Sequence, residues 1–266
     1  MTEPLIWPSL LRLVATGAIF IFHYLGLFGY PRYRIDFFAI LVFCFLSGYL
    51  AKVDKSDRAE WFIKKYFDIM VCYWIVIVPV IITNEIVEYK NINFLDGFLT
   101  FFGGNLFLED PLYVIAWYVT FVLILYSYLY MESFLDSYWF IFFSRSVALF
   151  FSFIYNKEYY FFAFFVGLWM SKHFSRSALV KSTNLTKRLS LLAFKTQKYC
   201  YSFFLVHGAV LLFFVKMFPE DEFTVFLFSA ILSMLFSLLI FPLGRRIGLI
   251  VTSKTISLTR KVSRFV

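Results

Sequence analysis

The sequence predicts an all-α protein, a polytopic bundle of transmembrane helices with both termini in the cytoplasm. Three observations lead there. Only 16% of the 266 residues are charged, while 61% are hydrophobic and 24% aromatic; a soluble domain carries about 25% charged residues. Thirty-nine Phe and 18 Tyr exceed what a soluble core of this length can hide, so apolar surface must face lipid. The apolar residues also fall in continuous runs near the ~17–25 residues that cross a bilayer as helix, without the in/out alternation of a membrane barrel.

Eight stretches read as spans: 5–28, 35–51, 67–83, 111–131, 138–155, 158–172, 199–218 and 223–243. The second, fifth and sixth are short. The first has a long apolar run, no basic leader and no small-x-small cleavage site, so it reads as a retained span and not a signal peptide. Residues 84–110 join the third and fourth stretches. They carry Glu85, Glu88, Asp96, Glu109 and Asp110 around an apolar middle with a Gly-Gly break, which suggests an interfacial or re-entrant helix at the outer mouth. Two short helices hidden there would raise the count to ten. The chain reads as one integral membrane domain, 1–266, with no soluble domain and no internal repeat. Cys44, Cys72 and Cys200 fall inside spans as small packing residues, and no metal-ligand spacing is visible.

Orientation follows from the basic residues, which stay on the cytoplasmic side. With an inside N-terminus, 18 Lys and Arg fall on inner segments and four on outer ones. The net charge of +8 therefore reads as topology and not as a nucleic-acid surface. Segment 172–198, with seven cations and no acid, reads as inner anchoring, with anionic lipid or a cytosolic phosphate as further partners.

Against this apolar background the polar residues stand out. The first span reads LLRLVATGAIFIFHYLGLFG, with Arg12 and His23 eleven positions apart. Eleven residues are close to three helical turns, so both side chains share a face, about 16 Å apart along the axis. A guanidinium in a span costs ~2.5–3.5 kcal/mol even on insertion scales, so such a seam faces the bundle interior or a wet cavity. Arginine stays charged and suits a fixed anion; histidine, with an ordinary pKa of ~6.5, takes and returns a proton near neutrality. An anion holder and a base together are the minimum for group transfer to a hydroxyl. Asp36 and Ser47, also eleven apart, share a face of the second span. Asp36, at its outer end, suits orienting a histidine, binding a sugar hydroxyl or pairing with Arg32 or Arg34. His207, in mid-span beside Gly208, is a second histidine candidate or a polar packing residue. Arg145 suits site binding or pairing with a carboxylate, and Lys216 can snorkel to the interface.

Several stretches together resemble the membrane acyltransferase-3 family. They are the Arg, ten residues, then His of the first span; I-D-F-F-A-I-L-V-F-C-F-L-S-G-Y-L; W-F-I-K-K-Y-F followed by Y-W-I-V-I-V-P; A-W-Y-V-T-F-V-L-I-L-Y; and Y-S-F-F-L-V-H-G-A-V. Their order matches the family and they span most of the chain. The resemblance implies a bacterial inner-membrane O-acyltransferase that moves acetyl from acetyl-CoA to a hydroxyl of a cell-surface or lipid-linked glycan, with no bound cofactor. It makes His23 the base and Arg12 its partner, and gives Lys64 and Lys65 to the acyl donor. Trp117, Tyr118 and His207 fall at recurrent positions in the substrate region. The chain departs from the family in three places. No arginine follows Lys65 at three residues, where Asp68 stands; Phe121 to Leu125 are all apolar where many members are Glu-rich; and eight spans are counted where ten are common. Two other classes use buried cations equally well: a transporter or flippase for a lipid-linked glycan, and a non-catalytic relative acting as an assembly partner. The absence of repeat halves argues against a common transporter design.

Overall fold

The computed structural model describes residues 6–53, 56–87, 90–109, 111–154, 156–173 and 192–262. Most of the basic segment 172–198 and, in the acidic loop, Glu88 and Asp110 lie outside them. Every regular element among the described residues is helical: α1 (Ile6–Leu27), α2 (Ile35–Leu50), α3 (Arg58–Val87), α4 (Phe94–Phe101), α5 (Trp117–Glu132), α6 (Tyr138–Ile154), α7 (Glu158–His173), α8 (Cys200–Met217) and α9 (Glu222–Val262). Short 3₁₀ turns lie at Asn105–Phe107, Val114–Ala116 and Gln197–Tyr199. Four helical stretches are long and apolar enough to cross a membrane: Trp7–Leu27, Arg58–Asn84, Leu192–Met217 and Glu222–Thr259. Ile35–Leu50 and Tyr138–Phe150 are shorter apolar helices. Large apolar side chains are widely exposed, among them Trp139 at 81%, Phe140, Phe142, Phe143 and Phe150 on α6. Water does not tolerate patches of this extent; the protein is a membrane protein.

Helix ends follow from local chemistry. Gly29 (φ 75°) ends α1 in a Schellman motif, its N–H reaching Gly26 O and that of Tyr30 reaching Leu25 O at 2.9 Å. Gly103 (φ 77°) does the same after α4; both sites need the left-handed conformation that glycine takes without cost. Asp57 starts α3 by accepting the Glu60 N–H at 3.2 Å, and Asn93 starts α4 through the Asp96 N–H at 2.8 Å. Each satisfies a donor that the first helical turn leaves unpaired.

Asp221 caps α9. Its carboxylate accepts the Thr224 N–H at 2.9 Å and the Thr224 hydroxyl at 2.6 Å, and these bonds hold the carboxyl below its usual range. A depressed folded pKa contributes stability above the ordinary aspartate value of ~3.9 that is lost as pH falls through the folded one. Thermal midpoints in detergent should therefore show wild type more stable than Asp221→Asn near pH 6, with the margin narrowing as pH falls below about 3.9. A margin that does not change with pH would contradict the cap.

The chain divides into two compact units. The first comprises the described residues up to Lys52 together with Asp136–Ile231. Within it α1 and α2 form an antiparallel hairpin, Trp7 meeting Tyr49 at a ring distance of 4.9 Å. α2 and α7 run parallel, with Phe37 against Tyr160 at 5.7 Å near one end and Gly48 against Phe164 and Leu168 near the other. Gly167 in turn lies against the Phe45 carbonyl and the Tyr49 amide. The two glycines let these backbones touch, as small residues do between membrane helices. α1 and α8 also run parallel: Arg12 meets Gln197, just before α8, and Phe20 meets Phe203 and His207.

The second unit holds Val53–Leu135 and the chain from Leu232 onward. α3 packs on α5 through Trp61 and Tyr126 and through Phe62 and Tyr130. The later part of α9 runs antiparallel to α3, Gly244 against Cys72 and Gly248 near Phe67 and Val71. Of the segment between α3 and α5, residues 90–109 fold as α4 and a turn fixed on α3 and α5. The Tyr73 hydroxyl donates to Thr100 O, Asn105 Nδ2 donates to the Tyr73 oxygen at 2.9 Å, and Trp74 Nε1 donates to Phe101 O at 2.9 Å. These bonds meet polar groups at the end of α4 and in the turn after it within the protein. Phe94, Leu95 and Phe98 remain exposed on α4.

Candidate functional site

The seam of α1 is built from residues upward along one partner, α8 and the turn before it. Arg12, half-buried, donates to Gln197 Oε1 at 3.3 Å. One turn on, the Thr16 hydroxyl donates to Arg12 O at 2.8 Å, with Cys200 beside it. The next turn places Phe20 edge-on to Phe203 and His207, at 5.8 and 6.2 Å. At the far end the His23 and His207 rings lie 5.3 Å apart. The helical spacing thus does more than align Arg12 and His23. It lays the face they share against a single neighbouring helix, as the cost of a lipid-facing guanidinium demands.

His207 is 1% exposed. Its ring stacks on Phe203 at 5.9 Å and also meets Phe204 at 5.8 Å. Nδ1 lies 3.2 Å from Phe203 O. A carbonyl only accepts, so Nδ1 carries the proton and the neutral ring leaves a lone pair on Nε2. Among the described residues that buried Nε2 meets no hydrogen-bond partner, a costly arrangement that marks a place where a donor belongs.

Asp36, in the first turn of α2, completes the group. It lies within electrostatic reach of His23, as does Arg32, and also of Lys157 and Tyr160 on either side of the α7 N-terminus. Burial lowers the Lys157 ammonium below its usual range, opposed by Asp36 and Glu158. The structure therefore brings together Arg12, His23, Asp36 and His207 in the first unit. Ser47 belongs to the same unit but lies near the other end of α2 from Asp36, beside the Gly48 contact. Arg145 on α6 lies over the Phe165 ring at 5.5 Å.

The remaining sequence-selected residues belong to the second unit. Lys64 is exposed on α3, and Lys65 lies over the Tyr126 ring at 5.8 Å. Asp68, one turn on, is within electrostatic reach of Lys65, Lys64 and Arg245 of α9. Asp68 thus has cationic neighbours from both its own helix and α9. Trp117 and the buried Tyr118 open α5, Trp117 packing on Tyr118 and Phe121 at 6.1 and 6.2 Å.

Sequence reasoning missed Gln197, Lys157 and Tyr160, whose roles depend on which helices touch. It also missed Tyr73, Thr100 and Asn105, all 0–1% exposed; a threonine and an asparagine flanking Gly-Gly were the available signal. Among the described residues no group of His, Cys, Asp and Glu is placed to hold a metal ion. No family model matches the chain, and neither a curated protein nor a solved structure matches it.

Proposed function

We propose that this protein is a membrane O-acyltransferase of the acyltransferase-3 type. It moves an acetyl group from cytosolic acetyl-CoA to a hydroxyl of a cell-surface or lipid-linked glycan, in a bacterial inner membrane. The observation that carries the reading is the grouping of His23 with Asp36 and His207 at one end of a seam whose other end holds Arg12. His23 takes the proton of the acceptor hydroxyl as its oxygen attacks the thioester carbonyl. The C–O bond forms, the C–S bond breaks, and the proton passes from His23 to the departing CoA thiolate. Asp36 favours the imidazolium that exists between these transfers. Arg12 supplies a fixed cation for an anionic part of the donor. With the N-terminus inside, Arg12 lies in the inner half of the membrane and His23 in the outer half, so donor and acceptor meet from opposite sides and CoA does not cross.

Lys64 and Lys65 are assigned to the donor phosphates, in company with Arg245. Lys64→Ala with Lys65→Ala should raise the KM for acetyl-CoA by roughly tenfold, equivalent to about 1.4 kcal/mol, and leave kcat close to wild type. An unchanged KM would remove both lysines from donor binding. The reading as a whole is tested in membranes carrying wild type or Arg12→Ala protein, supplied with acetyl-labelled CoA ester: wild type should label the glycan fraction and the variant should not. Labelling by the variant at the wild-type rate would exclude Arg12 from the reaction.

A further inference from the structure

We propose that His207 is a positioning residue: the neutral acceptor that holds His23 in its proton-accepting tautomer and stabilises the imidazolium once the proton has moved. The proposal rests on the reading of His23 as the base. Four observations converge on it. His207 is 1% exposed. Its Nδ1–H is committed to Phe203 O. Its Nε2 meets no hydrogen-bond partner among the described residues. The ring nearest in kind is His23, 5.3 Å away between centroids and half-buried, hence freer to turn.

Rotation of His23 brings one of its N–H groups onto Nε2 of His207. The order of bonds is then fixed from the backbone outward. The Phe203 carbonyl fixes the His207 proton on Nδ1, and the His207 lone pair fixes the His23 proton on the nitrogen that faces it. The second His23 nitrogen is left bare, toward the acceptor hydroxyl. A neutral imidazole exists as two tautomers, and only one presents a lone pair to the substrate. During transfer the hydroxyl proton moves to that bare nitrogen, and His23 becomes a cation whose other N–H still points at Nε2. His207 keeps its own proton throughout, so nothing else is consumed or released. The charged or titratable groups facing His23 are Asp36 of α2, Arg32 of the turn before it and His207 itself. Asp36 offers the cation its charge, and His207 offers it direction. Phe20, Phe203 and Phe204 set apolar rings against His207.

Two variants separate this from a packing role. His207→Phe fills the ring site with no acceptor; His207→Gln keeps an oxygen that can accept. With both folded to wild-type thermal midpoints, His207→Phe should lower kcat on the order of 10²-fold, the lower end of what a base contributes, with the KM for acetyl-CoA unchanged. His207→Gln should stay within about tenfold of wild type. A His207→Phe protein with wild-type kcat, or two folded variants equally impaired, would overturn the assignment. A spectroscopic arm does not depend on turnover. In protein labelled with ¹⁵N-histidine, His207 should show a protonated Nδ1 and an unprotonated Nε2 whose resonance shifts in His23→Ala. A protonated Nε2, or an unmoved one, would overturn the proposal even if the wild-type protein transferred no acyl group, a result that would separately end the acyltransferase reading.

Discussion

His23→Ala should insert and fold as wild type does and yet lose acyl transfer by a factor of 10²–10⁴, the range that a positioned base supplies, or about 3–5 kcal/mol of barrier. The insertion half of this expectation comes from packing. His23 is only half-buried, and its neighbours on α1 hold the helix in place: Phe20 packs on Phe203 of α8, and Tyr24 donates its hydroxyl to Glu222 O at the start of α9 at 3.1 Å. The catalytic half comes from the company His23 keeps, Asp36 and His207. His173 is the internal control. It stacks on Trp169 at 4.9 Å at the end of α7, and His173→Ala should transfer as wild type does. Glycan labelling from acetyl-labelled CoA ester, normalised to folded protein in the membrane, reads both variants. Undiminished labelling by His23→Ala would remove His23 from the chemistry.

Gly48→Ala and Gly167→Ala should each destabilise the first unit strongly, and the size follows from opposing terms. Alanine in place of glycine gains about 1 kcal/mol of helix propensity. Here the added methyl meets backbone: the Phe164 carbonyl from Gly48, and the Phe45 carbonyl and Tyr49 amide from Gly167. Flexible side chains can step aside from a new methyl, but two helix backbones cannot without separating. Overpacking costs of ~1–3 kcal/mol refer to side chains that can yield, so a net loss of about 3 kcal/mol or more is expected at either glycine. The sites face each other across one contact, so the double variant should lose less than the sum of the singles. Thermal midpoints of detergent-solubilised protein read the cycle; a single alanine variant as stable as wild type would show that α2 and α7 do not meet through these residues. Gly17, with nothing near its would-be Cβ, serves as the comparison at which alanine should be tolerated.

How far the sequence reveals this molecule depends on how local each cause is. Apolar runs mark helices, so α1, α2 and α6 to α8 begin and end within a few residues of the expected stretches. α3 and α9 are longer than expected. α3 begins at Arg58, where Asp57 caps it, and not at 67. α9 runs 41 residues through Pro242, about 60 Å at 1.5 Å per residue against a hydrocarbon core of ~30 Å. Hydropathy shows where lipid ends, whereas the helix continues for another reason: Gly244, Gly248 and the buried Thr252 recur every four residues, and the two glycines lie against α3. The same distinction runs through the site. Period alone puts Arg12 and His23 on one face. Only the packing of α1 on α8 supplies Gln197 to the first and His207 to the second, and the approach of Arg245 to Asp68 has no trace in the spacing of either.

The most direct test of the central claim uses purified wild-type protein in sealed vesicles with the N-terminal face outward, acetyl-labelled CoA ester added outside and an acceptor glycan enclosed within. Label is expected in the enclosed glycan as an alkali-labile ester, with one free CoA thiol released outside for each acetyl transferred. No thiol release and no label, with folded protein and intact vesicles, would contradict it.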